Sequence, residues 1–219
     1  MINDKDMWGI VKQVMKGSTM RMIGLSFIIC HLSFSVCACS EENNEVDEYA
    51  NWLERNDAQT DQWAAGASSG MYRKILTYAK SESASGLTNS DYIYVEEVEK
   101  GSGTESPIYT DNVRVAYRGR YIPTTSYPEG YVFDQTFVGN FDWKTAGMTD
   151  VTPDGLVEGF CTALMHMHKG DRWIVHIPYK LGYGTSTSSG IRAYSDLTFD
   201  IAVLEIWPQG EEMEQFKSR

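Results

Sequence analysis

In the second half of the chain, apolar residues alternate with polar ones. Val113, Val115, Tyr117, Gly119 and Tyr121 alternate with Arg114, Ala116, Arg118 and Arg120. Trp173, Val175 and Ile177 alternate with Arg172, Ile174 and His176. A period of two predicts strands with one buried face. Leu197, Phe199, Ile201 and Val203 alternate with Thr198, Asp200, Ala202 and Leu204, apolar enough on both faces for a central strand. Tyr92, Tyr94, Val95 and Val98 predict a further strand beginning at Asp91. Phe160, Ala163, Leu164 and Met167 fall at i, i+3, i+4 and i+7, which predicts one short helix with a single apolar stripe, and Gly170 is placed to end it. Pro123, Pro128 and Gly130 mark a loop over 122–131, and a longer loop is expected over 135–155. The sum is an α+β domain whose antiparallel β-sheet wraps on one short helix.

The first half reads differently. Val46, Tyr49, Trp52 and Leu53 share a helical face, and Met71, Ile75, Leu76 and Ala79 repeat the spacing in a second predicted helix. The stretch from Gly66 to Gly70 separates the two, and residues 81–90 have the composition of a linker. Residues 23–38 are an apolar run of signal-peptide length, preceded by Lys16 and Arg21. The run ends in Val36-Cys37-Ala38-Cys39, which resembles a bacterial lipobox with Cys39 as the lipidated residue. The following Ser40-Glu41-Glu42-Asn43 resembles the surface-export signal of Bacteroidetes lipoproteins. Asp4, Asp6 and Trp8 are unlike a signal n-region, so a translation start at Met20 or Met22 is expected. The expected organisation is a signal segment over 1–39, an acidic tether with helical extension over 40–90, a β-rich domain over 91–207 and a polar tail over 208–219.

Charge and cysteine usage narrow the chemistry. The formal net charge of −11 makes nucleic acid a poor partner. Of four cysteines only Cys161 lies outside the targeting segment, so an internal disulfide is not expected and Cys161 reads as a buried, inert thiol. No phosphate-binding Gly-x-x-x-x-Gly-Lys is present. His166 and His168, two apart on a helix, point away from each other and His176 lies on another strand, so no metal site is expected. Glu96, Glu97 and Glu99 read as a solvated strand edge.

What remains is a set of rings and one acid: Tyr117, Phe133, Asp134, Phe160, Tyr183 and Phe199. On the residues alone, the set fits an aromatic core and a lined pocket equally well. Asp134 weighs toward a pocket, because a carboxylate among rings needs a hydrogen-bond partner, which the Tyr117 hydroxyl could supply. Tyr183 lies between Gly182 and Gly184, whose backbone freedom lets a loop hold the ring over a cavity.

Residues 91–207 resemble an FKBP-type peptidyl-prolyl isomerase domain. The likeness runs in order through Val113-x-Val115-x-Tyr117-x-Gly119, Phe133-Asp134, Val157-x-Gly159-Phe160, Met167-x-x-Gly170, Ile177-Pro178 with Leu181-Gly182-Tyr183-Gly184, and Leu197-x-Phe199-Asp200. The resemblance implies the FKBP-like fold, isomerisation of X–Pro bonds in exported proteins, and a pocket of Tyr117, Phe133, Asp134, Val157, Phe160, Tyr183, Ile191 and Phe199. It implies no cofactor. Proline-containing polypeptides and macrolide inhibitors are the implied ligands, with a lipid anchor to the outer membrane, facing periplasm or medium, and residues 46–80 as a surface for homodimerisation. The chain departs from the family pattern in three places. Phe160 stands where the pocket floor usually has Trp, Arg192 follows Ile191 where Pro is usual, and the segment after Asp134 is long, with Phe141 as the candidate for its pocket aromatic. The alternative reading is a non-catalytic, chaperone-like lipoprotein that binds peptides in the same pocket.

Overall fold

The computed structural model describes residues 47–215, and Cys39 with the expected signal segment lies outside them. The described residues form one compact unit. Among the described residues, seven strands make one antiparallel sheet: β1 (Arg73–Leu76), β2 (Tyr92–Glu99), β3 (Asn112–Tyr121), β4 (Val132–Gln135), β5 (Thr149–Val151), β6 (Arg172–Ile177) and β7 (Leu197–Trp207). Their order is β1-β2-β6-β7-β3-β4, with β5 also pairing β3. The two α-helices are α1 (Trp52–Ser68) and α2 (Glu158–Leu164). No helix among the described residues is long and apolar enough to cross a membrane.

Register turns the period-two pattern into two faces. Gly119 pairs with Phe199 and Phe199 with Val175; Tyr121 pairs with Leu197 and Leu197 with Ile177. These rows face α2, whose six residues after Glu158 are all buried. Gly159 permits the contact, since a Cβ there would lie 2.3 Å from Ile177 Cγ2. The helix is shorter than its stripe predicts. It ends at Leu164, and Met167 is buried from the turn that follows, where Gly170 takes φ +88°.

The opposite face is covered as well. At one end Phe137, Phe141 and Trp143 from the loop after β4 pack with Ala116, Ala202 and Leu204. Arg118 lies over Phe137 and Arg172 over Phe141, while the Trp143 indole donates to Glu99. At the other end α1 lies against the sheet. Its Trp63 stacks on His176 at 4.8 Å and packs beside Tyr94, and burial holds the His176 imidazole below its ordinary pKa.

Helix α1 docks through a mixed stripe. Its buried residues are Trp52, Asn56, Thr60 and Trp63, two of them polar. The polar pair reaches a single acid: Thr60 Oγ1 donates to Asp196 Oδ2 at 2.7 Å, and Asn56 Oδ1 accepts from Asp196 N at 2.7 Å. Asp196 Oδ1 accepts from Tyr179 N at 2.7 Å, and the Trp52 indole donates to Ser195 Oγ at 3.0 Å. Burial lifts the Asp196 carboxyl to a pKa of about 7, against the hydrogen bonds that favour its charged form.

Two expectations for the first half need correction, and a third holds in part. Residues 71–79 are not a second helix. Gly70 turns the chain at φ +82°, and Arg73–Leu76 pairs with β2 as β1, with Ile75 opposite Ile93. The backbone groups of β2 offer a ladder that outweighs a weak helical preference over so short a run. Nor do residues 81–90 behave throughout as a linker between domains. Asp91 Oδ2 accepts from Thr88 N and Thr88 Oγ1, Lys80 pairs with Asp91, and Asn89 donates to Asp61 of α1 at 2.9 Å. Finally, β2 is an edge only in part: β1 covers Tyr92–Val95, and Glu96, Glu97 and Glu99 lie beyond that pairing, exposed as expected. Glu97 pairs with Arg73, Glu99 with Arg172, and Glu96 lies 3.3 Å from His176 Nε2.

Candidate functional site

A cavity of about 290 Å³ opens between α2 and the strands facing it. Phe160 projects from α2 as its floor and is 4% exposed. The ring meets Tyr117 of β3 edge-on at 5.9 Å and Phe199 of β7 at 5.0 Å, and Phe133 of β4 meets Phe199 at 5.6 Å. Edge-to-face contacts of this kind favour one arrangement of the rings. Gly119 makes the cluster possible, because a Cβ there would come within 2.6 Å of both Phe133 Cζ and Phe199 Cε1.

Polar groups gather at the rim. The Tyr117 hydroxyl donates to Asp134 Oδ2 at 2.6 Å. Burial, followed by that bond and the carboxylate charge, raises the Tyr117 pKa well above its ordinary value. Burial and then the charge of Asp134 raise that of Tyr183. Both phenols therefore stay protonated at neutral pH and can donate. Tyr183 rides on a loop fixed at both ends. Gly184, at φ +77°, donates to Tyr179 O at 2.8 Å and accepts from Tyr194 N at 2.9 Å.

The structure gathers Tyr117, Phe133, Asp134, Val157, Phe160, Tyr183 and Phe199 around this one cavity. Ile191 is not among the lining residues. It is 5% exposed within the main core, and its N–H donates to Ser188 O at 2.8 Å, so neither side chain nor amide is offered to a ligand. Ser189 of the same loop takes that place. Phe141 is not a pocket aromatic, since it lies on the far face of the sheet between Phe137 and Trp143. The lining also includes Val151, Gly155 and Leu156, which the sequence did not single out. Val151 comes from three-residue β5, too short a run to show a period, whereas Leu156 was legible as the apolar neighbour of Val157.

Cys161, beside the floor residue, is buried, and burial pushes its thiol up to about 11, which leaves it inert as a nucleophile at neutral pH. Among the described residues no group of three or more His, Cys, Asp or Glu could hold a metal ion. The cavity thus offers apolar walls, the hydroxyls of Tyr117, Tyr183 and Ser189 and one carboxylate, which suit binding and orientation of an extended chain.

Residues 103–204 match the family model described as FKBP-type peptidyl-prolyl cis-trans isomerase. The chain is 32% identical over 117 residues to the macrophage infectivity potentiator of Trypanosoma cruzi, covering 53% of this chain and 54% of that protein. It is 31% identical over 122 residues to the FKBP-type peptidyl-prolyl cis-trans isomerase FkpA of Escherichia coli strain K12, covering 55% and 40%. The crystal structure of FkpA from Escherichia coli superposes with a TM-score of 0.50 at 25% identity, covering 73% of this chain and 62% of that one. The chain therefore spans about half the length, or less, of the curated relatives it matches.

Proposed function

We propose, from the premise that residues 103–204 belong to the FKBP-type peptidyl-prolyl cis-trans isomerase family, that this protein isomerises X–Pro bonds in the cavity floored by Phe160. The reading is carried by the coincidence of that match with an aromatic cavity whose one acid is already bonded to a tyrosine. Rotation about the amide faces a barrier of about 18–20 kcal/mol, set by resonance, and no covalent step is needed to lower it. A catalyst has to hold the twisted amide better than either planar form, and each tenfold acceleration takes about 1.4 kcal/mol of that preference. The twisted amide has lost resonance and with it polarity, so apolar walls favour it over the planar states. In this reading Phe160 seats the proline ring, while Tyr117, Val157 and Phe199 wall it in. Tyr183 donates its hydroxyl to a peptide carbonyl, and the Tyr117–Asp134 bond holds the rim in place. The Val157 N–H is the candidate backbone donor, a role that Ile191 cannot share.

The substrates we propose are exported polypeptides, with the enzyme held at the cell envelope as an outer-membrane lipoprotein through Cys39. Macrolide inhibitors would compete for the same cavity. Exchange spectroscopy on a proline peptide tests the activity: cross-peaks between cis and trans forms should grow with added protein and vanish with a macrolide. A folded protein giving no exchange above background would leave only the peptide-binding role. Metabolic labelling with a lipid precursor, lost in Cys39→Ala, tests the anchor.

A further inference from the structure

Beside the isomerase cavity lies a second hollow of about 360 Å³, lined by Tyr49, Tyr121, Tyr131, Thr187, Gly190 and Arg192. One ring joins the two. Tyr121 packs on Phe133 of the cavity at 5.3 Å, and on its other side meets Tyr131 at 6.1 Å and Tyr49 at 6.4 Å. One loop also joins them, because Ser189 lines the cavity while Thr187, Gly190 and Arg192 line the hollow. Tyr49 precedes α1, so the hollow exists only because the N-terminal extension is docked next to the isomerase loop. Trp52, three residues on, fixes that approach through its ring on Tyr121 at 5.8 Å and its indole bond to Ser195.

Arg192 is the charged group of this hollow. Its backbone N–H donates to the Tyr121 hydroxyl at 3.0 Å, and its guanidinium lies over the Tyr49 ring at 3.9 Å. The arginines that approach the same corner are engaged: Arg55 donates to Glu48 O and Pro123 O at 2.8 and 2.9 Å, and Arg120 pairs with Glu129 at 3.9 Å. The side chain of Arg192 is exposed and, among the described residues, has no ion-pair or hydrogen-bond partner. A guanidinium held over a ring face spends no N–H bond on that contact, so its donors remain for a carboxylate, which a guanidinium can take on two parallel bonds. In a chain of net charge −11, a cation left unpaired beside a substrate cavity stands out as a recognition element.

We infer that this tyrosine-lined hollow is an extended substrate subsite that selects polypeptides carrying an Asp or Glu near the proline. The inference rests on the isomerase reading of the neighbouring cavity. The chain of ring contacts from Phe160 to Arg192 bounds their separation at about 26 Å, so Arg192 lies within about eight residues of the proline along an extended chain of roughly 3.3–3.6 Å per residue. The tyrosine faces would cover the intervening side chains, and Arg192 would hold the carboxylate.

The test is a matched series of proline peptides with Glu, Gln or Lys at each position up to about eight residues from the proline, on either side, beside an all-Ala parent. At one of these positions Glu should raise kcat/KM over Gln by about two- to fivefold, the range of one exposed ion pair. Lys should lower it, and the Glu-to-Gln ratio should shrink at high salt. In Arg192→Gln the ratio should fall to one, and in Tyr49→Ala it should shrink. Turnover of the parent with no Glu preference at any position, or a preference that survives Arg192→Gln, overturns the subsite and leaves the isomerase reading standing. Absence of turnover for every peptide, the parent included, overturns both.

Discussion

Asp134 and Asp196 are both carboxylates bonded to a hydroxyl, but they stand in opposite surroundings. Asp134 is exposed at the cavity rim and accepts from Tyr117, leaving the rest of its acceptor capacity to solvent. Asp196 is fully buried, and both oxygens and its own N–H are consumed by Thr60, Tyr179 and Asn56. The first group is free to meet a ligand. The second is closed to ligands and fastens α1 to the loop that carries Tyr183. The contrast separates a site, where apolar walls present a few unfinished polar groups, from a seam, where every polar group is finished internally.

The largest effect that would break this comparison is expected from the cavity floor. Phe160→Ala should cost roughly 3–5 kcal/mol of stability, as for other buried Phe truncations, and abolish measurable isomerase turnover. Urea titration with a peptide assay on the folded fraction checks it.

Next is the seam, through pH. The folded Asp196 carboxyl has its pKa raised to about 7 from an ordinary value near 4, so between those values the native state holds a proton that the unfolded state has lost. Stability from this group is complete below about pH 4 and is lost as pH rises to about 7, by roughly 4 kcal/mol. Asp196→Asn keeps an acceptor for the Tyr179 N–H and reverses the Thr60 bond, its amide donating to the Thr60 hydroxyl, and should flatten that slope. Denaturation midpoints at several pH values read it directly, and an unchanged slope in the Asn variant would assign the dependence elsewhere.

Gly119→Ala acts on the cavity without touching a polar group. Its methyl would press on Phe133 and Phe199, so we expect a loss of about 1–3 kcal/mol and a fall in kcat/KM larger than the stability change explains. The smallest effect on folding is expected from Asp134→Ala. Being exposed, Asp134 should leave the midpoint within about 0.5 kcal/mol, yet lower kcat/KM by about tenfold through a loosened Tyr117. If Asp134→Ala destabilised the protein as much as loss of Asp196, the distinction between site and seam would fall.

The same distinction explains what was legible in the sequence. Strands β2, β3, β6 and β7 show as alternation because each buries one face against α2 or carries apolar residues on both. The rings and the one acid of the cavity stood out in the sequence, while Val157 and Ile191 came from the resemblance alone, and all but Ile191 line the cavity. The docking of α1 was hidden because Asn56 and Thr60 occupy half of its buried stripe, and a polar stripe reads as solvent-facing until Asp196, some 140 residues on, is known to lie beneath it. Strand β1 was misread because Met71, Ile75, Leu76 and Ala79 fit helical spacing, although only Ile75 of the four is buried. Phe141 was placed in the cavity since aromatics after Asp134 were sought there, whereas the long loop folds over the other face of the sheet.

The pairing of β1 with β2 has a consequence for self-association. A sheet terminates in strands whose N–H and C=O groups are open to another chain, and long flat edges template aggregation. Without β1, the free edge would be β2, eight residues long and carrying Ile93, Tyr94 and Val95 in its first half. With β1 in place that half is covered by a four-residue strand whose exposed positions are Arg73 and Lys74, and only the acidic end of β2 beyond Val95 stays open. On the far side the edge is split between four-residue β4 and three-residue β5. A fragment cut at residue 91 would therefore expose Ile93, Tyr94 and Val95 on an open edge, whereas the chain that keeps residues 71–80 covers them with a short strand guarded by cations.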